Sequence, residues 1–235
     1  MIFSNRTDAG KKLAQELEQS LKRWYGANWK QNLIIVGLPR GGVPVALESA
    51  RKFCCPLELI VSKKLPYPGQ PEYAIGAVSS DGTVVLNPDI PDRPEWQDYI
   101  EQQRLKLLEQ NSVLEREFYE RAACPRTSVY NRTVAIIDDG IATGMTAIAA
   151  LKTAYNRGAK RVIMAAPIMA LDTSQKLQQY CDAVVSVTVE PEFHSVGQFY
   201  ENFQQTTNEE VVAALREAAA FSIPAKSSSD LWLSN

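Results

Sequence analysis

The stretch VAIIDDGIATGMT, residues 134–146, decides the fold. Val134 to Ile137 form a short apolar run of the kind that a strand buried on both faces requires. Two acids stand where that run ends, a loop of small residues follows, and residues 144–157 carry a helical pattern. Neighbouring strand side chains point to opposite faces, so Asp138 and Asp139 address one ligand only where the chain is already turning. Gly140 permits that turn. Beyond it, the N–H groups of Thr143, Gly144, Met145 and Thr146 open a helix with two hydroxyls beside them, which makes a cradle for a phosphate. The acids cannot serve the phosphate. They suit sugar hydroxyls or a hydrated Mg²⁺.

Working outward, NLIIVG (residues 32–37) reads as a second buried strand, broken by Pro39 and the pair Gly41–Gly42 before a helix over residues 43–53. Residues 57–62 form the next strand. Residues 63–73 hold three prolines and a glycine without periodicity, which predicts a long exposed loop. Ser80-Asp81-Gly82 is a hairpin turn between two short strands. A long helix spans residues 95–121, with Ile100, Leu107, Leu108, Leu114 and Phe118 marking its apolar stripe. Strands follow at 132–138, 161–167 and 183–189, with a short helix over 174–180 and another near 208–220. Ahead of them all, Leu13, Leu17 and Leu21 recur every four residues in an amphipathic helix. Apolar strands alternating with helices predict an α/β fold, a parallel sheet covered on both faces. Such folds bind ligands beyond the carboxyl ends of their strands, so the loops after Gly37, Ser62 and Ile137 are the informative ones.

The chain has 235 residues, enough for one α/β domain and a smaller cap at roughly 100–200 residues per domain. A single domain over residues 1–221 is expected, its core at 33–189, with a polar tail at 222–235 that is expected to fray. Lys and Arg number 25 against 27 Asp and Glu, a net charge of −2 without a basic block, which excludes a general nucleic-acid binder. The four cysteines and one histidine have no zinc spacing and no disulfide framework. The start lacks an apolar core that would serve as a signal peptide, and no apolar run is long enough to span a bilayer, so a cytoplasmic protein is expected.

Residues 134–146 resemble the PRPP-binding signature of the type I phosphoribosyltransferases: hydrophobic strand, Asp-Asp, small loop, Thr-Gly-x-Thr. LPRGGVPVA (residues 38–46) is similar to that family's pyrophosphate loop, and Ser62-Lys63-Lys64 to the opening of its flexible catalytic loop. All three occur in the family's order. The resemblance implies a Rossmann-like core with helices on both faces, a small hood and a long helical insertion. It implies transfer of the phosphoribosyl group of PRPP to a nitrogenous base or related small-molecule acceptor, with pyrophosphate released and Mg²⁺ as cofactor. Asp138 and Asp139 would hold the ribose hydroxyls and meet the metal only through Mg-PRPP. Ala142, Thr143, Gly144, Met145 and Thr146 would hold the 5′-phosphate. Arg40, Gly41 and Gly42 would contact pyrophosphate, with Arg40, Lys63 and Lys64 as catalytic cations. A cis peptide between Pro39 and Arg40 is expected by the same resemblance.

One departure bears on the acceptor. The 6-oxopurine enzymes of the family carry an acidic base where this chain has Ala142, so hypoxanthine, guanine and xanthine are expected to be poor substrates. The long helix serves either a hood or a dimer contact; a homodimer is one arrangement that it allows. His194, beside aromatic residues, reads as a packing or surface residue of the hood, and the cysteines as core or surface thiols. The alternative function is a PRPP-sensing regulator without catalysis, against which the low net charge and the retained Lys63 and Lys64 stand. An aspartyl phosphohydrolase needs Asp-x-Asp near the chain start, and here the acids are adjacent and late.

Overall fold

The computed structural model describes residues 1–88 and 93–221; the expected tail at 222–235 lies outside them. Strands β1 (Leu33–Gly37), β2 (Leu57–Leu59), β6 (Thr133–Ile137), β7 (Arg161–Ala170) and β8 (Ala183–Glu190) form one parallel sheet in the order β2-β1-β6-β7-β8. Strands β3 (Ser62–Tyr67), β4 (Gln70–Ser79) and β5 (Val84–Leu86) form a separate antiparallel sheet. Helices α1 (Arg6–Tyr25), α2 (Gly42–Phe53), α3 (Gln97–Ala122), α4 (Met145–Asn156), α5 (Leu171–Leu177) and α6 (Asn208–Phe221) complete the chain.

The central strands are buried throughout, and their alternation builds two cores. Leu33 and Ile35 of β1 and Ala135 and Ile137 of β6 face a cluster with Leu13, Leu17 and Leu21 of α1, Ala46 of α2 and Leu215 of α6. Ile34, Val36, Val134 and Ile136 face the opposite way, onto Ile148 and Leu151 of α4 and Ala77 of the hairpin. Registers such as Ile35 opposite Ala135 and Ala135 opposite Ile163 keep each face continuous across the sheet. On the first face α1 crosses α2 closely: a methyl group built on Gly10 would lie 2.8 Å from the Val45 carbonyl oxygen.

Several elements differ from the sequence reading. Residues 63–73 are not an exposed loop but most of the β3–β4 hairpin. Pro66 sits at a shift in register, where its missing N–H does least harm, and Gly69 makes the turn at φ +77°. Leu65, Ile75 and Val78 bury against Leu107 of α3, and Tyr67 meets Trp96 edge-on at 5.0 Å. Proline content argued for a loop locally, and a distant helix supplied the burial that makes it a sheet. The expected strand at 57–62 is split, β2 ending at Leu59 and β3 beginning at Ser62. Strand β7 runs three residues past Pro167 because β8 and an isolated bridge from Ile141 to Met169 continue to pair with it. The helix expected over 174–180 is α5, a few residues earlier. The buried face of α3 is not purely apolar either: it includes Asn111 and Glu115 along with Leu107, Phe118 and Tyr119. The Ser80-Asp81-Gly82 turn stands as expected, closed by the Gly82 amide donating to Ser79 O at 3.0 Å.

Candidate functional site at the carboxyl edge of the sheet

Chain direction places the ends of β1, β6 and β7 side by side, so the loops that follow them meet. The Pro39–Arg40 peptide is cis, and the two glycines after it press against the acids. A methyl on Gly41 would lie 2.0 Å from Asp139 Oδ2, and one on Gly42 would lie 2.6 Å from the Ile137 carbonyl oxygen and 3.0 Å from Asp138 Oδ1. Backbone leaves room only for glycine at Gly42, and at Gly41 a methyl would have to displace the Asp139 carboxylate. The Leu38 amide donates to Ile137 O at 2.9 Å, which fixes the two loops to each other.

The acids differ in surroundings. Asp138 accepts the Asp139 amide at 2.9 Å, its one hydrogen-bond donor among the described residues. Burial first, and the neighbouring Asp139 charge second, hold its carboxyl well above the usual carboxylate range. Asp139 is also pushed up by burial, but Arg6 opposes this through an ion pair from Nε to Oδ2 at 2.8 Å. The Tyr200 hydroxyl donates to the Asp139 carbonyl at 2.6 Å. Burial, with Asp139 adding to it, raises the Tyr200 phenol too, so that hydroxyl stays protonated.

The loop after the acids turns at Gly144 (φ +74°) into α4, whose first-turn N–H groups have no partner within the helix. Thr173 Oγ1 donates to Ala142 O at 2.5 Å and braces the loop from α5. Ala142, Thr143 and Met145 line a cavity of about 670 Å³ together with Lys176, Phe193 and His194. Asp172 also lines it, its Oδ1 accepting the Thr173 amide at 2.7 Å. Residues from both terminal segments, where a hood is expected, pack on this edge. Phe3 and Tyr200 pair as an isolated parallel bridge, and Val196 packs where a methyl on Gly140 would come within 2.5 Å.

Thus the structure brings Gly41, Gly42, Asp138, Asp139 and residues 142–146 to one edge. It spreads the three cations. Arg40 is exposed and lines a recess of about 310 Å³ with Gln205, Thr206 and Glu209. Lys63 lies on the α3 face of the hairpin, its Nζ donating to Gln110 at 3.3 Å. Lys64 is exposed and sits on the opposite face, paired with Ala77, whose side chain packs in the cluster with α4. The four cysteines are free, and burial pushes the Cys55 thiol up to about 12. No described helix is long and apolar enough to cross a membrane.

Sequence reasoning missed Arg6. Its one local signal is a cation at the start of a helix, where the macrodipole favours an acid. Its partner is 133 positions away.

The carboxyl edge of the five-stranded parallel sheet thus carries an acid pair, a glycine pair and a loop that opens a helix. The phosphoribosyl transferase domain family matches residues 4–204, and the chain belongs to it. Two Mycobacterium tuberculosis proteins, named "Putative phosphoribosyl transferase" in strains CDC 1551 and H37Rv, are each 41% identical to it over 221 residues, 92% of this chain. The match covers 47% of their length, so the chain spans about half of these curated relatives. The crystal structure of TT1426 from Thermus thermophilus is 32% identical, with a TM-score of 0.75, over 93% of this chain and all of that one.

Proposed function

We propose that the chain transfers the 5-phosphoribosyl group of PRPP to a nitrogen atom of a small acceptor and releases pyrophosphate. The convergence of Gly41–Gly42, Asp138 and the 142–146 loop on one sheet edge carries this reading. PRPP has a phosphate and a pyrophosphate at opposite ends of a ribose. Residues 142–146 present N–H groups and hydroxyls to the 5′-phosphate, and the adjacent cavity has room for the sugar and an acceptor ring. The Asp138 carboxylate suits a ribose hydroxyl because it has little else to bond. Gly41 and Gly42 let backbone approach the pyrophosphate, with Arg40 at the start of that loop.

Breaking the bond from C1 to oxygen spreads positive charge over the sugar and sends negative charge to the departing pyrophosphate. Fixed donors on the pyrophosphate loop stabilise that charge where it develops. Lys64, exposed on the hairpin, is the lysine free to add a cation; Lys63 does so only by leaving Gln110. The acid pair fits Mg²⁺ when the ion arrives on PRPP, since Asp139 already has Arg6 as its counter-charge and no group of three His, Cys, Asp or Glu side chains converges among the described residues. Bound in that way, Mg²⁺ would neutralise pyrophosphate oxygens. Ala142 brings no proton acceptor to the cavity wall. His194, which lines the same cavity, is a candidate for that role.

The test is to incubate protein, Mg²⁺ and PRPP with adenine, orotate, hypoxanthine, guanine and xanthine in turn and follow pyrophosphate. Release with an acceptor other than the 6-oxopurines is expected. Guanine or hypoxanthine turning over at about 10⁴ M⁻¹s⁻¹ or more would shift the proton-accepting role to the hood. Tight PRPP binding without release for any acceptor would replace the enzyme with a PRPP-sensing regulator.

A further inference from the structure

Arg6 is the first residue of α1, yet its side chain turns inward and only 13% of it is exposed. It makes three contacts there. Nε donates to Asp139 Oδ2 at 2.8 Å, Nη1 donates to the Gln204 carbonyl at 2.5 Å, and the guanidinium lies 4.1 Å from the centre of the Phe203 ring. A methyl on Gly41 would lie 3.3 Å from Nε, so the pyrophosphate loop is the fourth wall of this contact. One cation therefore joins the first helix, the hood segment 200–204, the glycine loop and the second acid. Asp138, one residue earlier, has no such partner. The other charged group of this helix end, Asp8, is paired with Lys12 at 2.8 Å.

We infer that Arg6 is a positioning residue that divides the acid pair: it commits Asp139 to tying the hood onto the glycine loop, and it leaves Asp138 as the carboxylate that meets the ribose. This rests on the PRPP reading above. Its consequence follows from charge. PRPP is a polyanion that must settle against Gly41. With Arg6 in place, the Asp139 charge beside that loop is cancelled. Without Arg6, an uncompensated carboxylate faces the incoming pyrophosphate and the hood loses its anchor. Removing the Asp139 charge instead leaves a cation beside the loop, which a polyanion tolerates. The pair is thus asymmetric: loss of the arginine harms PRPP binding more than loss of the acid does.

The experiment measures Mg-PRPP affinity by calorimetry for the wild type and for Arg6→Gln, Arg6→Lys, Asp139→Asn, Asp138→Asn and the double variant Arg6→Gln/Asp139→Asn, each checked for folding by its melting transition. The expected pattern is a loss of about tenfold or more for Arg6→Gln and for Asp138→Asn, and less than about threefold for Asp139→Asn. Arg6→Lys, which keeps the charge, should fall between wild type and Arg6→Gln, and the double variant should bind better than Arg6→Gln alone. A purely structural arginine would not be rescued by a second substitution. Asp139→Asn losing as much as Asp138→Asn would overturn the division of the pair, because Asp139 would then be a ribose ligand in its own right. So would Arg6→Gln at wild-type affinity. If Arg6→Gln does not fold, the two aspartate variants decide alone. A wild-type protein that binds no PRPP overturns both the function and the inference, an outcome distinct from any change among the variants.

Discussion

Glu115, on α3, is a buried carboxylate and Asp138, at the end of β6, a half-buried one, and their surroundings are opposite in kind. Glu115 accepts the Val61 amide at 3.2 Å, the Ser80 hydroxyl, Arg126, and Arg157 at 3.3 Å. Two guanidinium groups balance its charge, and its neighbours come from the residues flanking the hairpin, from the segment before β6 and from the end of α4. Nearby Glu58 is held by the Tyr119 hydroxyl and the Thr127 amide, both at 2.5 Å. These acids are internal fastenings. Asp138 has the Asp139 amide and no side-chain donor among the described residues, and it sits at the sheet edge where the glycine loop and the loop before α4 meet. An acid with its bonds filled inside the fold holds structure; one with bonds left open has capacity for a partner from outside.

Substitution should separate the two. Glu115→Ala is expected to destabilise the protein by about 3 kcal/mol, the low end for breaking a buried pair because Arg126 is half exposed. Urea denaturation measures it, and a loss below about 1 kcal/mol would make Glu115 another weak surface pair. Asp138→Asn should move binding and stability in opposite directions. PRPP affinity falls by about 1.5–3 kcal/mol, one charge-assisted hydrogen bond, while the folded protein becomes more stable at neutral pH.

The sign of that stability change follows from Asp138's raised folded pKa. Above it, the group is ionised in both states and burial of the charge opposes folding. As pH falls through it, the native state takes up the proton first and the penalty shrinks, vanishing below the unfolded value of about 3.9. The Asn variant's advantage should shrink over the same window in melts at stepped pH. An Asn variant less stable than wild type at neutral pH would place Asp138 with Glu115, among the fastenings.

Two glycines offer a smaller contrast. Gly41→Ala forces a methyl against Asp139 and should cost about 1–2 kcal/mol of stability, with weakened PRPP binding. Gly69→Ala, at φ +77° in the hairpin turn with nothing within 4 Å, should cost about 1 kcal/mol through backbone strain alone. PRPP affinity should not change. A Gly41 variant that binds PRPP normally would mean that the glycine loop is not the approach to the ligand.

The sequence alone determined the parallel sheet, since the apolar runs at β1, β6 and β7 and the helices between them are local patterns that period and length reveal. It also singled out the loops that meet at the carboxyl edge of the sheet, because Gly41–Gly42, Asp138–Asp139 and Thr143–Thr146 are each read from neighbours within a few positions. What only the tertiary structure decided involves partners far apart in the chain. Residues 63–73 read as a proline-rich loop, and they form a hairpin because α3 buries one face of it. Glu115 lies outside the apolar stripe that the sequence marks on the long helix, and the fold closes four donors around it. The two carboxylates of the acid pair were equivalent in the sequence, and they differ because α1 delivers Arg6 to one of them across 133 positions. Backbone pattern is a property of adjacent residues, whereas the state of a buried charge depends on whatever the whole fold places beside it.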